Sequence, residues 1–106
     1  VADQETAPQD IRFNNNGTKM FVIGSTSDKV HEYNLSSAYD ISSATFTQNF
    51  SVAGQETAPQ GIAFNTDGTK MYVIGHTGDD VNEYSLTSAF DIYIDFLLRS
   101  SIKNRL

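Results

Sequence analysis

The 106 residues allow one small domain, and a chain of this length buries only about two thirds of the surface that its unfolded form exposes. Seven basic against thirteen acidic side chains give a net charge of -6, which argues against a nucleic-acid backbone or an anionic membrane surface as partner. The absence of cysteine excludes a disulfide framework, a thiolate metal site and a thiol nucleophile. The apolar runs are far shorter than the roughly 18 residues of a membrane-spanning helix, so we expect no membrane partner.

The chain contains an internal duplication. The run from Gln4 to Gly24 recurs almost unchanged 51 residues later, from Gln55 to Gly75. Without a gap, residues 4–41 and 55–92 are identical at 26 of 38 positions. A period near 50 residues is typical of propeller blades.

The first half of the repeat predicts a hairpin. A polar loop leads into a short alternating strand, Ile11–Phe13, and the glycine and asparagine residues of Asn14–Gly17 tolerate the positive φ of a tight turn. Lys19–Ile23 is then a strand that is apolar on both faces, which suits a sheet packed between two neighbours.

The second half of the repeat predicts two more strands. Val30–Leu35 is the third, and a longer connection over Ser36–Ser43 leads to the fourth, from Ala44 to Val52. The alternation of this fourth strand predicts that one side holds Ala44, Phe46, Gln48, Phe50 and Val52. Four antiparallel strands joined by short turns form a propeller blade, so the predicted fold class is all-β with two four-stranded blades.

The second repeat resembles the β-propeller repeats of the YVTN and lactonase-like group. That pattern places a proline and a glycine-apolar strand before a Pro-Asp-Gly-Lys type turn and a Tyr-Val strand. The matching positions in this chain are Pro59, Gly61, Asp67-Gly68, Lys70 and Tyr72-Val73. The resemblance implies the propeller fold. Asn65-Thr66 departs from the usual Ser-Pro, and two repeats stand where the family closes a ring of about seven blades.

Three segments follow from this pattern. Residues 1–53 are the first blade repeat with its leading loop, residues 54–92 hold the first three strands of the second, and residues 93–106 diverge from the repeat. The divergent tail fits a substitute outer strand over Tyr93–Leu98, because the open edge of the second blade needs a partner. A short amphipathic helix is the alternative, and so is a tail without a selected structure.

Two blades cannot form a closed ring, and their end faces would expose large apolar patches. We therefore expect identical chains to close the ring head to tail. Three chains would give six blades, which we favour, and four chains would give eight.

In a propeller, the loop before the innermost strand and the turn between the second and third strands share one face around the channel. The loop residues predicted to bind a polar small molecule, a glycan or a cation there are Gln4, Glu5, Gln9, Ser25, Asp28, Gln55, Glu56, Gln60, His76 and Asp79. Ordinary solvation of these loops is the alternative interpretation.

We expect no catalytic residue, no metal site and no cofactor. His76 has no second histidine at metal-ligand spacing, and its grouping with Asp79 and Asp80 lacks a nucleophile and occurs once in the chain. Asn65–Gly68 lacks the bidentate glutamate of a calcium loop and fits a hairpin turn. The sequence thus favours a non-catalytic binding or structural module, with a lectin-like adhesin and a lactonase-like metal-dependent hydrolase as alternatives.

Overall fold

The structure is a computed structural model that describes residues 1, 3–54, 56–77 and 81–92. In these residues the chain is all-β, with one four-stranded and one three-stranded antiparallel sheet. The first sheet has the order β1-β2-β3-β4 and the second β5-β6-β7. The strands are β1 Pro8–Phe13, β2 Lys19–Gly24, β3 Lys29–Leu35, β4 Ala44–Ser51, β5 Pro59–Phe64, β6 Lys70–Gly75 and β7 Val81–Ser85, with a 3-10 helix at Ile41–Ser43 before β4. The predicted outer strand over residues 93–98 lies outside the described residues.

The turn that joins the first two strands of each sheet is a hairpin stabilised by its own side chains. Gly17 and Gly68 have φ of 75° and 72°, which confirms the expected positive φ. Asn65 accepts the N–H of Lys70 at 2.9 Å, and Asp67 accepts the N–H of Thr69 at 3.1 Å. The hydrogen bonds from the Thr69 hydroxyl and N–H hold the pKa of Asp67 below its usual range.

The connection after the third strand docks onto this same hairpin. Tyr39 donates its N–H to the carbonyl of Gly17 at 2.9 Å, and Phe90 donates to Gly68 at 2.8 Å. Both aromatic residues have positive φ, 61° and 55°, and their rings occupy the space that a Cβ on the glycine would need. The glycines are therefore required both by the turn and by the ring above it.

The predicted alternation of side chains along β4 is wrong for the first half of the strand. Gln48 pairs with Glu32 but Phe46 pairs with Tyr33, so Thr47 is an extra residue in a β-bulge. The bulge moves Ala44 and Phe46 to the opposite side of the sheet from Phe50. Perfect alternation in the sequence could not reveal it, because the bulge depends on the pairing with β3.

Each sheet has two sides, which we name after residues of its second strand. The Met face carries Met20 in the first sheet and Met71 in the second, and the Ile face carries Ile23 or Ile74. The Ile face of the first sheet packs on the Met face of the second in one core, made of Phe21, Ile23, Val30, Phe50, Val52, Ile62, Met71, Val73, Tyr84, Leu86, Phe90 and Ile92. The Met face of the first sheet forms a separate cluster of Met20, Val22, Tyr33 and Leu35, with Phe13 and Ala44 against it.

Aromatic rings dominate the core between the sheets. Phe21 lies 4.7 Å from Phe64, measured between ring centroids, and Phe50 meets Tyr84 edge-on at 5.4 Å. Burial of such rings is the largest contribution that side chains make to a small core. Met20 to Ile23 are all buried in the first sheet, but only Phe21 and Ile23 lie in the core against a neighbouring sheet, so packing between two neighbours is seen on one face.

Polar contacts set the register between the sheets. Asp10 accepts the N–H of Ile62 at 3.0 Å, and the ammonium of Lys19 donates to the carbonyl of Phe90 at 3.2 Å. At the hairpin end, the Asn15 amide donates to the carbonyl of Thr66 at 2.8 Å. The first two of these hydrogen bonds satisfy partly buried backbone groups between the packed sheets.

Candidate functional site

The candidate site lies where the segment before β1 meets the turn between β2 and β3. Ser25 donates its N–H to the carbonyl of Ala7 at 3.1 Å, and the hydroxyls of Thr6 and Thr26 are 3.0 Å apart. In the second sheet, His76 donates its N–H to Ala58 at 3.1 Å. The structure thus brings together the two loops that the sequence analysis placed on one face.

Glu5 joins these two loops through its carboxylate. The residue is 2% exposed, and its oxygens accept the N–H groups of Ala7 at 3.0 Å, Thr26 at 3.1 Å and Ser27 at 3.3 Å. The Ser27 hydroxyl donates to it as well. A carboxylate surrounded by donors in this way acts as a clamp between loops.

Glu56 repeats this arrangement in the second sheet. It is 1% exposed and accepts the N–H groups of Ala58 at 3.0 Å and Thr77 at 2.9 Å. Both glutamates lie over a glycine at the end of a strand, Gly24 or Gly75, where a Cβ would overlap the glutamate side chain. The close approach explains why glycine occupies this position in both repeats.

The ionisation of Glu5 follows from its donors. Burial alone raises the pKa of this carboxyl, but hydrogen bonds from the Ser27 side chain and from the backbone of Ala7, Ser27 and Thr26 outweigh it. The pKa of Glu5 therefore lies below its ordinary value of 4.5, and the group is a carboxylate at neutral pH.

His31 extends this cluster into the sheet. It is 2% exposed, and its Nε2 lies 3.0 Å from the Ser27 hydroxyl oxygen and 3.6 Å from a Glu5 oxygen. Burial lowers the pKa of His31 more than the Glu5 charge raises it. A catalytic relay needs the carboxylate on the ring nitrogen that faces away from the serine. Here Glu5 and Ser27 approach the same nitrogen, which is the geometry of a packed hydrogen-bond cluster.

Asp28 ends the turn with a φ of 56°. Its backbone carbonyl accepts the N–H of Val52 at 2.9 Å, which ties the turn to the chain that enters the second repeat. Burial, followed by the negative charges of Glu5 and Glu56, raises the pKa of Asp28. Its Oδ1 is buried and has no hydrogen-bond partner among the described residues.

The remaining predicted site residues are divided between internal contacts and solvent. Gln4 accepts the Tyr33 hydroxyl at 2.9 Å, and Ser25 is half-buried next to Gln9. Gln9, Gln60 and His76 are exposed. Gln55 and Asp79 lie outside the described residues. Within the described ranges, no three His, Cys, Asp or Glu side chains are grouped so that they could hold a metal ion.

The clamp role of Glu5 and Glu56 is a feature that the sequence pattern did not predict. A signal was available, because each glutamate precedes Thr-Ala-Pro and each repeat has a glycine at the end of its second strand. By contrast, the turn residues around the site differ between the repeats, as at Ser25 and His76. Residues that the duplication keeps together identify the internal scaffold of the loops.

Comparisons with protein-family models, with curated proteins and with solved structures gave no match. Among the residues that the structure describes, no helix is long and apolar enough to cross a membrane.

Proposed function

We propose that the chain is a non-catalytic β-propeller module that assembles with copies of itself into a closed ring and acts as a scaffold or binding platform. Each sheet is then one blade. The antiparallel order of the strands and the face-to-face packing of the two sheets support this assignment.

One observation carries the proposal. The Met face of the second sheet is covered by the first sheet, whereas the same face of the first sheet keeps large apolar side chains in solvent, with Ile41 66% and Tyr39 58% exposed. Monomeric proteins seldom leave such clusters uncovered. A further blade on this face would bury them.

The role of the loops supports a scaffold over an enzyme. The carboxylates of Glu5 and Glu56, two acidic groups of the predicted channel face, are bound by backbone N–H groups of the loops around them. The exposed Gln9, Gln60 and His76 are the side chains that a ring would present to a polar ligand.

Light scattering coupled to chromatography at several protein concentrations tests the proposal. A single species near three times 11.7 kDa is expected for a six-bladed ring, and four times that mass for an eight-bladed one. A folded monomer at every concentration would contradict it.

A further inference from the structure

We propose that the contact between copies repeats the contact inside the chain: the Ile face of the second sheet of one copy docks on the Met face of the first sheet of the next. The inference rests on the proposed function and specifies its partner and surfaces. It makes the association head to tail, and it rules out pairing of two identical Met faces.

Equivalent positions of the two repeats, 51 residues apart, differ in exposure according to whether a neighbouring sheet covers them. On the Met face, Ile11 and Ile41 are 42% and 66% exposed, while their equivalents Ile62 and Ile92 are 3% and 0% exposed. The residue types are the same at both pairs. The surface that receives a sheet inside the chain is thus present a second time on the first sheet.

The Ile face shows the reverse asymmetry. Ile23 is fully buried against the second sheet, whereas its equivalent Ile74 is 52% exposed. Tyr72 and Val81, equivalent to the buried Phe21 and Val30, are only half-buried. One uncovered Met face and one uncovered Ile face therefore remain, and inside the chain these two kinds of surface pack on each other.

One polar contact of the internal interface also has a counterpart. Lys19 reaches the carbonyl of Phe90 inside the chain, and its equivalent Lys70 has a half-exposed side chain that would reach the carbonyl of Tyr39 in the next copy. Both lysines also pair with a glutamate of their own sheet, at 3.6 Å for Lys19 and 3.4 Å for Lys70. In each sheet, the glutamate therefore holds the lysine ammonium on the Ile face.

Two polar contacts of the internal interface are not repeated by residue type: Asn15, whose amide donates to Thr66, has a threonine at its equivalent position, and Asp10 has a glycine. The first sheet accommodates the second of these differences. Inside the chain, Asp10 accepts the N–H of Ile62 across the interface, but the equivalent of Asp10 is Gly61, which has no side-chain acceptor. The backbone N–H that would need it belongs to Ile11, and this N–H already donates to Asp10 at 2.8 Å. Docking of a second copy therefore leaves no amide at this point without an acceptor.

Two complementary variants test the inference. Ile41→Glu places a charge on the uncovered Met face, and Ile74→Glu places one on the uncovered Ile face. Because every head-to-tail contact needs one face of each kind, each variant alone is expected to run as a monomer of 11.7 kDa in light scattering. An equimolar mixture retains one intact pair of faces, so it is expected to form a one-to-one complex of twice that mass.

The controls separate misfolding from loss of contact. Both isoleucines are more than half exposed, and circular dichroism with thermal melting checks that the variants stay folded. Ile11→Glu is a second Met-face variant that should behave as Ile41→Glu does. Ser36→Glu should assemble as the unmodified chain does, because Ser36 and its equivalent Thr87 are both exposed and lie outside the internal interface.

The outcomes distinguish this inference from the proposed function. If the unmodified chain assembles and Ile74→Glu assembles equally well, the ring proposal survives but the Ile face is not the docking surface. A mixture that stays monomeric also overturns the inference. If the unmodified chain is itself a folded monomer, the proposed function fails and the inference fails with it.

Discussion

Glu5 and Glu56 are polar residues whose burial is explained by the donors around them. Replacing Glu5 by glutamine puts an amide group in place of one of two acceptor oxygens that face backbone N–H groups. We expect the free energy of unfolding to fall by about 1–3 kcal/mol, because buried donors lose an acceptor. Urea denaturation measures this change.

Glu83 offers a matched control for this substitution. Its carboxylate is 12% exposed and pairs at 3.4 Å with Lys70, whose side chain is 46% exposed, and an ion pair open to solvent on one side contributes about 0–1 kcal/mol. Equal losses for Glu5→Gln and Glu83→Gln would show that Glu5 does not clamp the loops.

The lowered pKa of His31 predicts how the free energy of unfolding depends on pH. Because burial keeps its pKa below 6.5, the unfolded chain takes up a proton before the folded chain does as the pH falls. The stability that His31 contributes is therefore present above pH 6.5 and is lost progressively below it. Glu5, whose pKa is also lowered, loses its contribution only below about pH 4.5, and Asp28, whose pKa is raised, acts in the opposite direction.

The second repeat provides a substitution that isolates the pH effect of His31. Position 82, equivalent to His31, holds a buried asparagine, so His31→Asn introduces a residue of known fit that does not titrate. Histidine changes charge at about pH 5 to 7. Urea denaturation over this range should show that the variant loses less free energy of unfolding, as the pH falls, than the unmodified chain does. Identical pH profiles would contradict a buried neutral histidine.

At the scale of the elements, each sheet depends on a glycine beneath an aromatic ring. Gly17→Ala and Gly68→Ala add a methyl group at positive φ that overlaps the ring of Tyr39 or Phe90. The backbone strain alone costs about 1–3 kcal/mol, so we expect a loss of at least this size in urea denaturation. Gly54→Ala is the control, because a Cβ there meets no atom within 4 Å, and a loss similar to that of Gly17→Ala would refute the docking argument.

At the scale of the whole molecule, the shared core makes the two sheets one folding unit. Phe21 is fully buried and contacts Phe64 and Phe90 of the second sheet. Phe21→Ala is expected to lower the free energy of unfolding by about 3–5 kcal/mol, because it removes a ring from a core that cannot fully collapse. Thermal melting followed by circular dichroism measures it.

Thr47→Ala is the corresponding control, since Thr47 is the exposed bulge residue of β4. A surface change of this kind is expected within about 0.5 kcal/mol. If Phe21→Ala unfolds no more easily than Thr47→Ala, the sheets do not share a core.

Much of the local structure is determined by sequence alone. The strand around Met20 and Val22, the turn at Gly17 and the third strand up to Leu35 all lie where the pattern predicts them. Alternation of side chains and tolerance of positive φ are properties of neighbouring residues, and they act before any distant contact forms. The duplication then predicts the second sheet from the first.

Only the tertiary structure decided what those residues contact. It placed the bulge at Thr47, which reverses the side on which Phe46 lies, and it committed Glu5 to backbone amides that follow it by about twenty residues. It also distinguished Ile41 from Ile92, which are equivalent positions of the two repeats with opposite exposure. Burial depends on the neighbouring sheet, so equivalent positions of two similar repeats differ in burial when only one of them has a neighbour.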